Sequence, residues 1–248
     1  MILREDAGRK SPLDWLEMVY YRALLHERTL SDHLRRPEGR LRYGRSCRDL
    51  SSAIPQEFVG LHAAIGARAL RVGLGADAAE ISAWNTDAAG LGVEHIQIQP
   101  TEALSHQYGD WTVVTDQWLL DKVARTRLDG LPNETGGVLI GAHDTQRRVL
   151  YLVDALPSPP DSEEWPTLYV RGSHGLTRRV KEIGVTTDGQ LGYAGEWHSH
   201  PRGRGPSPSA DDRKVFAWLQ EHMGLEALPA AMLIAGEGDS ALFVESIP

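Results

Sequence analysis

The chain carries a single cysteine, Cys47, among 248 residues. It can close no internal disulfide and build no cysteine-based zinc centre, and such scarcity fits a reducing compartment. Long apolar runs are missing too: no stretch approaches the roughly 18 residues that a membrane span needs. Positive charge is in deficit, with 26 Lys and Arg against 34 Asp and Glu and a net charge of −8. That balance speaks against nucleic acid as a partner. The start, Met1-Ile2-Leu3-Arg4-Glu5-Asp6, carries acids and no apolar core, unlike a signal peptide. The expectation is a cytoplasmic protein that meets no membrane. Three catalytic signatures are absent as well. There is no His-Glu-x-x-His for a zinc-protease helix, no Pro-Cys-x-x-Cys for a nucleobase deaminase and no Gly-x-Ser-x-Gly for a serine-hydrolase elbow.

What is present suffices for a folded core. Hydrophobic residues make up 41 % and charged residues 24 %, a globular balance, and the length allows one large domain or two small ones. Ser11, Pro12 and Asp14 start a helix expected over 11–36, with Leu16, Val19, Tyr20, Ala23 and Leu24 on one face. Residues 37–50 read as a loop. Six arginines (Arg35, Arg36, Arg40, Arg42, Arg45, Arg48) run through and beside it, a solvated strip or, alternatively, a seat for an anionic partner. Cys47 lies among them as a free thiol, and the flanking cations favour its thiolate. A second helix is expected over 57–71, with Phe58, Leu61, Ile65 and Leu70 as its apolar positions. Gly73-Leu74-Gly75-Ala76-Asp77-Ala78 has the letters of a dinucleotide fingerprint. A helix precedes it and a strand follows, the wrong context, so it reads as a glycine turn. Strands are expected at 81–84 and 92–99, then a linker over 100–110. The boundary so placed divides a smaller, helix-rich α/β region (1–105) from a second domain (106–248).

In that second domain Trp111 opens a strand and Asp116 caps a helix reaching Arg127, with Leu119, Leu120, Val123 and Ala124 on its apolar face. Gly136 and Gly137 lie in the next strand, where they permit close backbone approach. Strands at 148–156, 167–171, 192–200, 230–234 and 241–244 alternate with helices at 174–183 and 209–222. The last helix is expected to turn Val215, Phe216 and Leu219 to the core. A proline- and acid-rich loop is expected over 157–165. The alternation predicts an α/β fold, a central sheet flanked by helices.

One stretch carries chemistry: Glu196-Trp197-His198-Ser199-His200-Pro201, then Ser209-Ala210-Asp211-Asp212. Side chains alternate along a strand, so His198 and His200 face the same way. Two imidazoles and a carboxylate suit zinc with one open position, which is the composition of a catalytic site. Ser209 three residues before Asp212 is also an ordinary helix start, and an aspartate in a first turn still reaches a metal. Glu196 shares the histidines' face and reads as a support behind them. His143, His174 and His222 stand outside the pattern.

His-x-His-Pro followed by Ser-x-x-Asp, with Glu134 upstream in Asn133-Glu134-Thr135-Gly136-Gly137-Val138-Leu139-Ile140-Gly141, resembles the JAMM (MPN-plus, or prokaryotic JAB) metalloproteases over roughly 111–248. The resemblance implies a cytidine-deaminase-like central sheet and zinc held by His198, His200 and Asp212. It implies Glu134 as general base and Ser209 as support for the oxyanion. It also implies the C-terminal tail of a ubiquitin-like protein as substrate, in an isopeptide conjugate or in a ubiquitin-like or sulfur-carrier precursor. The family places seven residues between the second histidine and the serine; here there are eight. Strict spacing would select Pro208, which offers no side-chain donor, and Asp211. A loop longer by one residue keeps Ser209 and Asp212, and Asp211 stays the alternative ligand. A non-catalytic scaffold of the same family is the alternative reading of the odd spacing. Cys47 to Arg71 resembles the end of a ThiF-type adenylation domain, implying a ubiquitin-like activating enzyme as a partner or as the other half of a fusion.

Overall fold

The computed structural model describes residues 103–246 apart from Asp188, the backbone of 81–86 and 93–98, and Met18 and Tyr21 in a helix. Cys47, the arginine strip, the helix at 57–71, the glycine turn at 73–78 and the ThiF-like stretch lie outside the described residues. So do Leu16, Val19, Tyr20, Ala23 and Leu24. Met18 and Tyr21 are buried, and the Tyr21 ring sits 5.2 Å from that of Tyr151.

Strands β1 (Ile81–Thr86) and β2 (Val93–Ile98) pair antiparallel as a two-stranded sheet. The next strand, β3 (Ala103–Tyr108), corrects the expected linker. It pairs antiparallel with β4 (Trp111–Asp116) through the two-residue loop Gly109-Asp110. Gly109 takes φ +56°, the left-handed setting that such short hairpin loops demand and that glycine adopts freely.

A seven-stranded sheet follows from this hairpin. Its other members are β5 (Gly136–Asp144), β6 (Val149–Ala155), β9 (Gly192–Ser199), β10 (Ala230–Ala235) and β11 (Ser240–Glu245), in the order β11-β10-β9-β5-β6-β4-β3. The β9/β10 and β4/β6 pairs are parallel and the rest antiparallel. One side chain links the two edge strands: the Tyr108 hydroxyl of β3 donates to the Leu242 carbonyl of β11 at 3.2 Å. Burial pushes that phenol up to about 12. The stretch 157–165, expected as loop throughout, ends in β7 (Glu163–Trp165), which forms a small hairpin with β8 (Leu168–Val170).

Helices cover both faces. Helix α1 (Gln117–Gly130) starts where Asp116 Oδ1 accepts the Leu119 amide at 3.0 Å. It packs Leu119 and Val123 on one face of the sheet, together with Leu219 and Met223 of helix α3 (Ala210–Gly224). Helix α2 (Leu176–Thr186) covers the other face, where Ile183 meets Val138, Ile140, Tyr151 and Val153. Each such side chain contributes about 1.5–3 kcal/mol on burial. On α3, Leu219 is buried and Phe216 packs against the core, but Val215 is exposed. Its expected core role is corrected: the face it occupies borders a groove instead.

His143, near the end of β5, buries its Nε2 with no hydrogen-bond partner among the described residues and lies edge-on to Trp111 at 6.4 Å. Burial pushes its pKa down to about 4. The unfolded chain therefore takes up a proton near pH 6.5 that the fold refuses. Stability is expected to fall by on the order of 2 kcal/mol as the pH drops from about 6.5 towards 4. His143→Leu should flatten that part of a stability–pH curve measured by urea titration.

Candidate active site

Strand β9 delivers His198 from its penultimate position, and His200 follows just past its end. The backbone stays strand-like there, because the His200 amide donates to the Ala235 carbonyl at 2.8 Å. Both imidazoles lie on the same face, as the period of two requires. Ser199 points the other way. Its hydroxyl accepts the Thr135 amide at 3.0 Å and its own amide donates to the Thr135 carbonyl at 2.7 Å, which fixes the segment beside Glu134.

Asp212 arrives from the first turn of α3. Ser209 is the N-cap: its hydroxyl accepts the Asp212 amide at 3.1 Å, while Asp212 Oδ2 accepts the Ser209 amide at 2.6 Å. This reciprocal capping box aims the Asp212 carboxylate at the histidines. Oδ1 stands 3.1 Å from His198 Nε2 and Oδ2 stands 3.4 Å from His200 Nε2. Asp211 points elsewhere and pairs with exposed Lys214 at 2.7 Å. The geometry thus places Asp212, not Asp211, with the histidine pair.

The donor set fits a cation. The facing atoms of His198, His200 and Asp212 lie within 4.8 Å of one another. His200 Nδ1 lies 2.7 Å from the Gly205 carbonyl. A carbonyl only accepts, so Nδ1 carries a proton, and in the neutral ring that leaves Nε2 as the nitrogen able to hold a cation. His198 Nε2 is buried and makes no hydrogen bond among the described residues, although Asp212 is near. Lone pairs turned towards a carboxylate are stable only with a positive charge among them. The electrostatics agree. Burial alone would raise the Asp212 pKa, but the two histidines beside it and the Ser209 amide hold it well below the ordinary range. Burial opposes charge on His200, yet Asp212, the Gly205 carbonyl and Glu134 outweigh it and raise its pKa.

The eight-residue loop after His200 is tied at two points. Gly205 supplies the carbonyl that orients His200, and the Gly203 amide donates to Glu237 at 2.6 Å.

Glu134 lies two residues before β5. It borders, with His198, His200, Ser209 and Asp212, one open groove of about 600 Å³. Burial raises its pKa, against the lowering pull of His200 and His198. All five residues singled out in the sequence therefore meet at one place. The glycines after Glu134 are needed there. A Cβ on Gly136 would lie 2.4 Å from the Tyr169 ring, and one on Gly137 would lie 2.1 Å from the Leu156 carbonyl. Glu196 does not support the histidines by hydrogen bonds. Its oxygens go to Arg171 Nε at 2.8 Å and to the Tyr193 hydroxyl at 2.9 Å.

Arg127 of α1 is a site residue that the sequence did not announce. It is buried, and it donates from Nε to the His200 carbonyl at 2.8 Å and from its terminal nitrogen to the Pro201 carbonyl at 3.1 Å. Only a position at the buried end of a helix whose other face is polar hinted at it. Arg127→Met removes the donor from both carbonyls, and it is expected to lower stability by about 2 kcal/mol in a urea titration.

Residues 116–244 match the family described as prokaryotic homologs of the JAB domain. The chain belongs to that family. It is 33 % identical over 131 residues to a protein of Enterobacter hormaechei subsp. hoffmannii named CD-NTase/cGAS isopeptidase, covering 53 % of this chain and 70 % of that one. Proteins of the same name are similar from Escherichia coli, at 36 % over 114 residues (43 % of this chain, 64 % of that one), and from Vibrio cholerae serotype O1, at 34 % over 113 residues (46 % and 68 %). No helix among the described residues is long and apolar enough to cross a membrane.

Proposed function

We propose that this chain is a zinc-dependent isopeptidase that cuts after the C-terminal tail of a ubiquitin-like protein. One observation carries the reading: His198, His200 and Asp212 turn their donor atoms together beside an open groove that also holds the half-buried carboxylate of Glu134. The name borne by the relatives supports an isopeptide bond as the target and a CD-NTase as the conjugated protein. The enzyme that activates the ubiquitin-like protein is the implied partner in the same pathway.

His198, His200 and Asp212 would hold the ion. Zinc with three protein ligands and an open position supplies Lewis acidity and brings the pKa of water to about 7. The remaining steps belong to the chain. Glu134 takes the proton of the attacking water and hands it to the leaving amine. Its partial burial suits the first half of the task, because a raised pKa makes the carboxylate a better proton acceptor. Ser209 keeps accepting the Asp212 amide, and its hydroxyl proton serves the carbonyl oxygen as charge gathers there.

Processing of a linear precursor uses the same chemistry on a different bond. Two probes separate the two activities: ubiquitin joined through an isopeptide to a fluorescent lysine peptide, and ubiquitin extended by a short linear tail. Preference for the first supports the proposal. Cleavage of the second alone would transfer the activity to precursor processing, and cleavage of neither by metal-loaded protein would end both readings.

A further inference from the structure

The β7–β8 hairpin stands beside the groove on two attachments. At one end it holds the segment of Glu134 itself. The Trp165 carbonyl accepts the Glu134 amide at 2.9 Å, and Glu164 Oε1 accepts the Thr135 hydroxyl at 2.6 Å. At the other end Arg171, the residue after β8, binds Glu196 at 2.8 Å, and Tyr193 binds the second oxygen of Glu196 at 2.9 Å. Glu196 lies on β9 two residues before His198 and is 7 % exposed. Between the ends, the Tyr169 ring rests against Gly136, which is paired with His198.

Two strands of three residues do not keep a shape by themselves. The hairpin's base is closed by the Gly172 amide on the Ser162 hydroxyl at 2.9 Å and by the Ser173 and His174 amides on the Asp161 carboxylate at 3.0 and 2.9 Å. What fixes the closed hairpin against the sheet is the tie at each end, and a buried carboxylate with a guanidinium and a phenol on its two oxygens makes a firm one. We propose that Glu196, Arg171 and Tyr193 form a positioning clamp for Glu134: acting through the hairpin, they set where the carboxylate of the base stands. The clamp rests on the assignment of Glu134 as base. It gives Glu196 a role distinct from proton transfer and from metal binding, since both of its oxygens are engaged.

Arg171→Met cuts the far tie without touching Glu134 or the zinc ligands, and Tyr193→Phe removes one hydroxyl and little else. Two measurements decide. The first is amide exchange of Glu134. It is expected to quicken about tenfold in Arg171→Met and severalfold in Tyr193→Phe, while the amides of β10 keep their wild-type rates. The second is kinetics on ubiquitin joined to a fluorescent lysine peptide. In Arg171→Met, kcat is expected to fall about tenfold or more with KM nearly unchanged and zinc retained, and Arg171→Lys should recover part of the loss. Unchanged Glu134 exchange in both variants overturns the clamp. So does a raised KM with normal kcat, which would make the hairpin a substrate wall alone. If Arg171→Met fails to fold, Tyr193→Phe decides by the same two readouts. If the wild type cleaves no probe, the isopeptidase reading fails separately, and the exchange result still decides whether the hairpin is tied to Glu134.

Discussion

Glu134→Ala is expected to lower kcat by at least about a hundredfold and to leave the bound metal in place. The carboxylate belongs to the groove but not to the cluster formed by His198, His200 and Asp212, so its removal takes away the proton carrier and no ligand. Loss of metal in this variant would move Glu134 into the ligand set. The same residue sets an acid limit. Glu134 works ionised, and its protonated form grows as the pH falls through its pKa. Burial raises that pKa above the ordinary carboxylate value. That burial is expected to displace the acid limb of kcat/KM upward, against the downward pull of the bound zinc, and a rate that does not fall on acidification would contradict the assignment.

The second large effect is expected at Asp212. Asp212→Ala should abolish both metal binding and hydrolysis, because the carboxylate supplies one of three converging donors. It also deletes half of the capping box at the start of α3, at a cost of about 1 kcal/mol in stability. Metal analysis and a urea titration on one preparation read the two losses separately. Asp211→Ala serves as the contrast. Its carboxylate pairs, among the described residues, with exposed Lys214, and such surface pairs contribute about 0–1 kcal/mol. That variant should keep both metal and activity. Metal loss there, with retention in Asp212→Ala, would reverse the choice between the two acids.

Much of this site was legible because its spacing obeys local geometry. A period of two put His198 and His200 on one face, and a serine three residues ahead of an acid marked the start of α3. The choice between adjacent acids was not legible from spacing alone. It depends on how the capping box turns Asp212 inward and leaves Asp211 outside. Tertiary partners were beyond reach for the same reason. Nothing local ties Arg127 to the carbonyl of His200, 73 residues away, or Arg171 to Glu196. The fold showed a similar divide. The strands that carry runs of apolar residues were readable, whereas β3 (Ala-Leu-Ser-His-Gln-Tyr) is polar enough to pass for a linker. The proline-rich stretch before β7 hid a three-residue strand whose register comes from β8 and whose position comes from the contacts with Glu134 and Thr135. Val215 fell on a helical face shared between core and groove, and periodicity does not say where such a face ends.

The most direct test is hydrolysis of an isopeptide-linked ubiquitin-like conjugate by one preparation of the protein, followed before chelation, after chelation and after zinc is returned. The expected result is cleavage that stops on chelation and resumes with zinc in the wild type, and no cleavage under any condition in Glu134→Ala. Cleavage that persists in metal-free protein, or a wild type that stays inert with zinc bound, would contradict the assignment of a zinc-dependent isopeptidase.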